Sequence, residues 1–295
     1  MYSYWKKNQL RIAPWFFLAP GIFMFALYVI FPIFQSINLS FYQWDGLGVK
    51  TYIGIENYIE LIDDEYFIVS LKNNIIWLFL YLLAVPAGLF AALFLNQTVR
   101  GIRIYKSIFF FPFVISQVVV GLVFSWFYDP FNGLLNVILG AFGFDSIAIL
   151  AEEDYVTYGI IAAGLWPQTA YCMILYLTGL NSVDPEQIEA GRIDNARGWR
   201  MLWYVILPQL KPATFIAVVV TIIGALRSFD LIDIMTGGGP WGSSRVLAYY
   251  MYEKAFSEYG YRMGYGATIA VVLLVIMMVY IATILYRLYR DERGG

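Results

Sequence analysis

The amino-acid sequence predicts an all-α polytopic membrane protein with six transmembrane helices and both termini in the cytoplasm. Three observations carry that expectation. Hydrophobic residues make up 60% of the 295 positions and charged residues only 14%, with a mean hydropathy of +0.66, outside the soluble range. The charges leave gaps long enough to cross a hydrocarbon core, which takes about 20 residues of helix. Lysine and arginine then gather on one side of those gaps, as basic residues retained in the cytoplasm do.

The charge-free windows, in chain order, are 12–44, 73–99, 107–128, 155–183, 212–226 and 263–286. The first is far longer than the apolar core of a cleaved signal and lacks an obvious small-x-small cleavage site, so it is read as a retained span. The fifth is short, but beyond Arg227 the residues Ser228, Phe229 and 231–235 allow helix to continue to the outer interface. Between the third and fourth windows, 130–144 carries Asn132, Gly133, Asn136, Gly140 and Gly143, with Leu134, Leu135, Ile138 and Leu139 at helical spacing, the pattern of a short interfacial helix. Clusters such as Tyr2, Tyr4, Trp5 and Tyr249, Tyr250, Tyr252 sit near expected interfaces. Pro32, Pro86, Pro112 and Pro167 fall in or near spans, where proline either kinks a helix or frees carbonyls that line a cavity.

With the N-terminus inside, the inner set is Lys6, Lys7, Arg11, Arg100, Arg103, Lys106, Arg192, Arg197, Arg200, Lys211, Arg287, Arg290 and Arg293, which is 13 of the 19 basic residues. The outer set is Lys50, Lys72, Arg245, Lys254 and Arg262, and Arg227 is left in a span. The first two external loops are acidic, which either disfavours an anionic solute at the entrance or serves only orientation and solubility.

The inner loop 181–212 combines helix signals with charge. Asp184 is placed to accept amide hydrogen bonds as N-cap, Pro185 fits the first turn, and Gln187 occupies the reciprocal capping position. Ile188, Glu189, Ala190 and Gly191 follow, with small residues that allow another protein's backbone to approach. Asn195 tolerates the left-handed conformation that ends a helix. The bulky stretch 199–207 is expected in the interface, before Pro208 and Pro212 turn the chain into span five.

The segment EAGRIDNARGWRMLWYVILP resembles the "EAA" signature of permease subunits of binding-protein-dependent ABC importers, in which EAA is followed by three residues, G, nine residues, I, any residue and LP. Glu189, Ala190, Leu207 and Pro208 match, Val205 replaces isoleucine, Gly191 replaces the second alanine and Asn195 the glycine. FDLIDIMTGGGPWGSS and YMYEKAF look like the carbohydrate-uptake branch, the maltose and glycerol-3-phosphate type of inner-membrane component. The resemblance implies the type I ABC importer permease fold, a multi-pass protein of the bacterial inner membrane, and division into a first span with its loop (1–69), a five-span core (70–290) with a coupling helix at about 184–196, and a tail (291–295). Glu189, Ala190, Gly191, Asn195, Leu207 and Pro208 would then form the coupling segment to an ATPase. The implied partners are a second homologous permease subunit, two ATP-binding subunits, a periplasmic or extracellular solute-binding protein and the bilayer, with no nucleic acid.

The chain has one cysteine, Cys172, and no histidine, which removes internal disulfides, Ser-His and Cys-His dyads and the commonest metal ligand. No catalytic residue and no metal site are expected. There is no phosphate-cradling G-x-x-x-x-G-K-[ST] loop, so no cofactor is expected on this chain, and ATP with magnesium belongs to the partner ATPase subunits. A rival reading is a self-sufficient secondary carrier or channel for a small polar solute. Such carriers place ionisable groups inside spans, whereas here Arg227, Asp230 and Asp233 cluster near the outer boundary of span five. Arg227 and Asp230, at i and i+3, are either an ion pair on one helical face or part of the solute path, as is Asp233. Gln117, Gln168 and Tyr171 bond either solute hydroxyls or neighbouring helices. Gly237, Gly238, Gly239 and Pro240 are expected as a flexible outer turn, either a simple connection or a contact for the binding protein.

Overall fold

The computed structural model describes residues 2–257 and 261–294. The side chains of 2–12, 285, 287–289 and 291–294 lie outside that description, and with them Tyr2, Tyr4, Trp5, Lys6, Lys7, Arg11, Arg287, Arg293 and those of the tail 291–295.

The chain is helical almost throughout. Among the described residues, four helical stretches are each long and apolar enough to cross a membrane: Ala13–Leu39, Glu65–Leu95, Glu153–Asn181 and Met263–Ile284. Two bent pairs pass the same test when each is taken as one span, Ile102–Val114 with Gln117–Phe127 at 96°, and Trp199–Gln209 with Lys211–Leu226 at 74°. The six fall, in order, on the six charge-free windows.

The chain packs into two compact units. One comprises residues 1–63 and 251–274. Its first helix, α1 (Tyr2–Phe25), passes through a π-helical turn, Ala26–Ile30, into α2 (Phe31–Leu39). Pro32 cannot donate to the carbonyl four residues back, and the wider turn just before it absorbs the missing bond. Trp15, Phe16 and Phe17 are exposed, as lipid-facing residues are. A two-stranded ribbon, β1 (Tyr42–Gln43) with β2 (Thr51–Tyr52), pairs Tyr42 with Tyr52. Buried Asn57 of α3 (Glu56–Ile62) closes it by donating to the Ser40 and Tyr42 carbonyls at 2.9 and 3.1 Å. Arg262 forms two hydrogen bonds to the Glu60 carboxylate, at 2.7 and 2.5 Å.

The other unit comprises 64–250 and 275–295. Here α4 (Glu65–Tyr81) and α5 (Ala84–Leu95) make the second span, with a break at 82–83 just before Pro86. α6 (Ile102–Val114) and α7 (Gln117–Phe127) make the third, broken just after Pro112. The helix expected within 130–144 is α8 (Leu134–Ala141), held by Asn136, whose amide donates to the Asp129 and Ile147 carbonyls and accepts from the Ile147 N–H. α9 (Glu153–Asn181) crosses without a break despite Pro167, and more than half of its apolar window is buried.

Small residues and polar cross-links seat α9. A Cβ on Gly88 would lie 2.4 Å from the Cys172 Cβ, so α5 meets α9 at a distance only glycine permits. Tyr81 and Tyr128 hydroxyls each donate at 3.1 Å to α9 carbonyls, of Gly164 and Gly159. One apolar cluster gathers Trp77, Val120, Ile160 and Ile232, and a second Ala92, Leu95, Cys172, Met173 and Leu210.

Candidate functional site

The inner loop is built around a capped helix. Asp184 Oδ1 accepts from the Glu186 N–H at 2.9 Å and Pro185 opens α10 (Pro185–Ile193), as the sequence predicts. The reciprocal bond does not come from Gln187, which is exposed. The Asp184 N–H donates instead to Gln209 Oε1 at 3.0 Å, and Gln209 Nε2 donates to the Val205 carbonyl at 3.0 Å. A partner 25 residues away wins because the chain folds back on itself.

α10 ends where Asn195 takes φ +60°, with the Ala196 N–H on the Gly191 carbonyl (2.8 Å) and the Asn195 N–H on that of Arg192 (3.1 Å). These are the two bonds of a Schellman termination. Glu186 in the first turn and Arg192 in the last each face the helix end that favours their charge. The close approach expected at Gly191 is made within the chain: Gly191 is buried, and a Cβ there would come within 3.0 Å of Val205 and 3.3 Å of Met201. Glu189, Ala190 and Ile193 face outward, and Ile193 is 85% exposed. Sequence reading missed Ile193 and Gln209. The i, i+4 spacing from Glu189 marks Ile193, but no local signal marks Gln209.

Behind α10 lie α11 (Trp199–Met201), a π-helical turn Leu202–Ile206 and α12 (Leu207–Gln209), which holds Leu207 and Pro208. The chain then turns 74° at buried Leu210 into α13 (Lys211–Leu226).

Within the spans, Gln168 Nε2 donates to Thr221 Oγ1 at 2.8 Å, so that amide ties α9 to α13. The Tyr171 ring stacks on Phe113 with centroids 4.9 Å apart. Gln117 opens α7 just past the 96° bend, and its Oε1 is buried without a hydrogen-bond donor. A buried carbonyl left unpaired costs about 1–3 kcal/mol.

Helix does not continue past Leu226. Arg227, Ser228 and Phe229 break it, and α14 (Asp230–Thr236) begins anew. The break removes the i, i+3 geometry, and the Arg227 and Asp230 side chains form no ion pair with each other. All three charges are exposed. Arg227 caps the C-terminal end of α13, while Asp230 and Asp233 stand in the first turn of α14, each where the helix dipole favours its sign.

The turn at 237–240 is firmly bonded rather than flexible. Gly237 (φ +56°) ends α14, Ser244 Oγ donates to the Gly239 carbonyl at 2.7 Å, and Ser243 Oγ to that of Pro240 at 2.7 Å. From α4, Asn73 donates to the Ser243 and Arg245 carbonyls at 2.6 and 2.8 Å. Beside the turn a cleft of about 500 Å³ is lined by Tyr66, Lys72, Glu153, Tyr158 and Trp241. Trp241 is 87% exposed.

Apolar helices, bends between helices, a capped helix on an inner loop and a braced outer turn define a membrane-embedded transport subunit. The chain belongs to the family of binding-protein-dependent transport system inner membrane components, matched over residues 84–291. It is 36% identical over 284 residues to a probable ABC transporter permease protein of Pyrococcus horikoshii, covering 94% of this chain and 95% of the relative. It is 32% identical over 287 residues to the alpha-glucoside transport system permease protein AglF of Rhizobium meliloti, covering 92% and 82%. A crystal structure of a bacterial ABC transporter involved in the import of the acidic polysaccharide alginate has a chain of the same fold, with TM-score 0.82, 22% identity and 99% coverage of both.

Proposed function

We propose that this chain is one of two membrane subunits of an ATP-driven importer that carries a sugar or related carbohydrate across the bacterial inner membrane. Two ATP-binding subunits would supply the energy, and an external binding protein would deliver the solute. The observation that carries the reading is the inner loop: a helix fixed at both ends, tied to the root of span five through Gln209 and Gly191, and presenting Glu189, Ala190 and Ile193 outward. A rigid helix transmits a push that a coil would absorb, because bending it breaks hydrogen bonds. Motion of a docked ATPase would pass from α10 to α12 and into α13, beside the polar groups of the spans.

A carbohydrate is favoured by two things. The relative AglF is named for alpha-glucoside transport. The groups within the spans, Gln117, Gln168 and Tyr171, are neutral amides and a phenol suited to hydroxyls. Arg227, Asp230 and Asp233 would border the outer end of the path. The braced turn Gly237, Gly238, Gly239 and Pro240, with Trp241 beside it, would receive the binding protein, since a rigid platform loses little entropy on docking.

The test is Glu189→Lys in the assembled importer. ATP-driven uptake should collapse while membrane insertion and the amount of the chain stay normal. Unchanged uptake would sink the coupling role, and solute flux through this chain alone without ATP would replace the importer by the carrier.

A further inference from the structure

Arg100, Arg103 and Lys106 flank the start of α6 in a segment, 66–128, that contains no acidic residue. None of the three forms an ion pair among the described residues. α6 starts from Gly101 at φ +81° with no side chain capping its amide end, so the positive end of the helix dipole adds to theirs.

Next to this cationic end lies a surface depression of about 450 Å³ lined by Arg103, Ile104, Ser107, Ile108 and Phe111. Ile108 and Phe111 also line a second, apolar groove of about 580 Å³, which runs past Ala91 of α5 and Trp166 and Met173 of α9. The two make one trough, charged at its mouth and apolar beyond. From Arg103 to Phe111 it follows α6 for roughly 12 Å at about 1.5 Å per residue, which keeps it within one leaflet of a core about 30 Å thick. On α9 the groove uses the stripe of Ala162, Trp166, Thr169 and Met173, a different face from that of Gln168 and Tyr171.

We infer that this trough binds an anionic phospholipid of the cytoplasmic leaflet, its phosphate at Arg103 and one acyl chain lying along Ile108 and Phe111 toward Trp166. An apolar chain alone would be satisfied by any lipid. The unpaired cations at the mouth select the anionic one, as basic pockets at the inner ends of spans do. A lipid held here braces α6, the first arm of the bent third span.

The experiment uses the full chain in nanodiscs of phosphatidylcholine doped with phosphatidylglycerol that carries a photoactivatable acyl chain. Labelling should concentrate near Phe111, Trp166 and Met173 and exceed that by the matching phosphatidylcholine probe. Arg103→Ala should lower it roughly fivefold, the worth of one basic side chain near a bilayer surface, and Arg103→Lys should restore most of it. Arg103 is exposed, so neither change threatens the fold, and circular dichroism confirms that. Equal labelling by the two lipids, or labelling indifferent to Arg103→Ala, overturns the inference. So does a crosslinker placed at Phe111 in native membranes that captures another protein chain instead of lipid.

Discussion

At Asn195 the backbone makes the demand and the side chain merely tolerates it. The residue sits at φ +60°, where a left-handed conformation costs an ordinary L-residue about 1–2 kcal/mol. Asn195→Gly should therefore keep full uptake, whereas Asn195→Val should lower thermal stability by about that much and reduce uptake, both measurable on the purified importer. Gly191 poses a different constraint, one of space. Its neighbours at 3.0 and 3.3 Å are side-chain ends of Val205 and Met201, which can give by a few tenths of an ångström. Gly191→Ala should be mild, and Gly191→Leu should pry α10 from the helices behind it and abolish uptake at normal expression. Asn195 was legible from sequence because few residue types accept that conformation. The burial of Gly191 was not, since smallness is the same whether the neighbour is another protein or the same chain.

Elements show where charge counting stops. Gaps between charges located the four long apolar helices and both bent pairs, because a hydrocarbon core excludes charge regardless of how the backbone runs through it. The same insensitivity hid the breaks at 82–83 and 227–229, and with the latter the charges of span five lost their expected pairing. The bend after Pro112 had a sequence cue, yet Pro167 carries the same cue in an unbroken helix. Tertiary packing around α9 decides between them. The tie from Gln209 to Asp184 is an interaction between elements, so no local pattern announces it. Gln209→Ala should cost about 1 kcal/mol for the lost bonds. Because α10 would then be held to span five at one contact fewer, ATP hydrolysis should persist while solute moved per ATP falls. Equal losses in hydrolysis and uptake would make Gln209 a stability residue only.

For the whole molecule, the number of crossings depends on the bent pairs. Four helical stretches are each long enough to cross, and a 96° bend between α6 and α7 is compatible either with one broken span or with a segment that enters and leaves by the same face. These differ in a consequence that reaches every later loop, because losing one crossing inverts the chain after it. The basic residues discriminate: Arg100, Arg103 and Lys106 before the bend and Arg192, Arg197 and Arg200 after span four belong on one side only if α6 and α7 cross together. The native cysteine makes the test direct, since Cys172 is fully buried and leaves a silent background for a membrane-impermeant maleimide. In intact cells, Ala151→Cys should label, while Thr98→Cys and Ile193→Cys should label only after permeabilisation. Labelling of Thr98→Cys and Ala151→Cys from the same side would make the bent pair re-entrant. A complete reversal would turn the molecule over, carrying Glu189 away from any cytoplasmic ATPase and ending the coupling assignment with it.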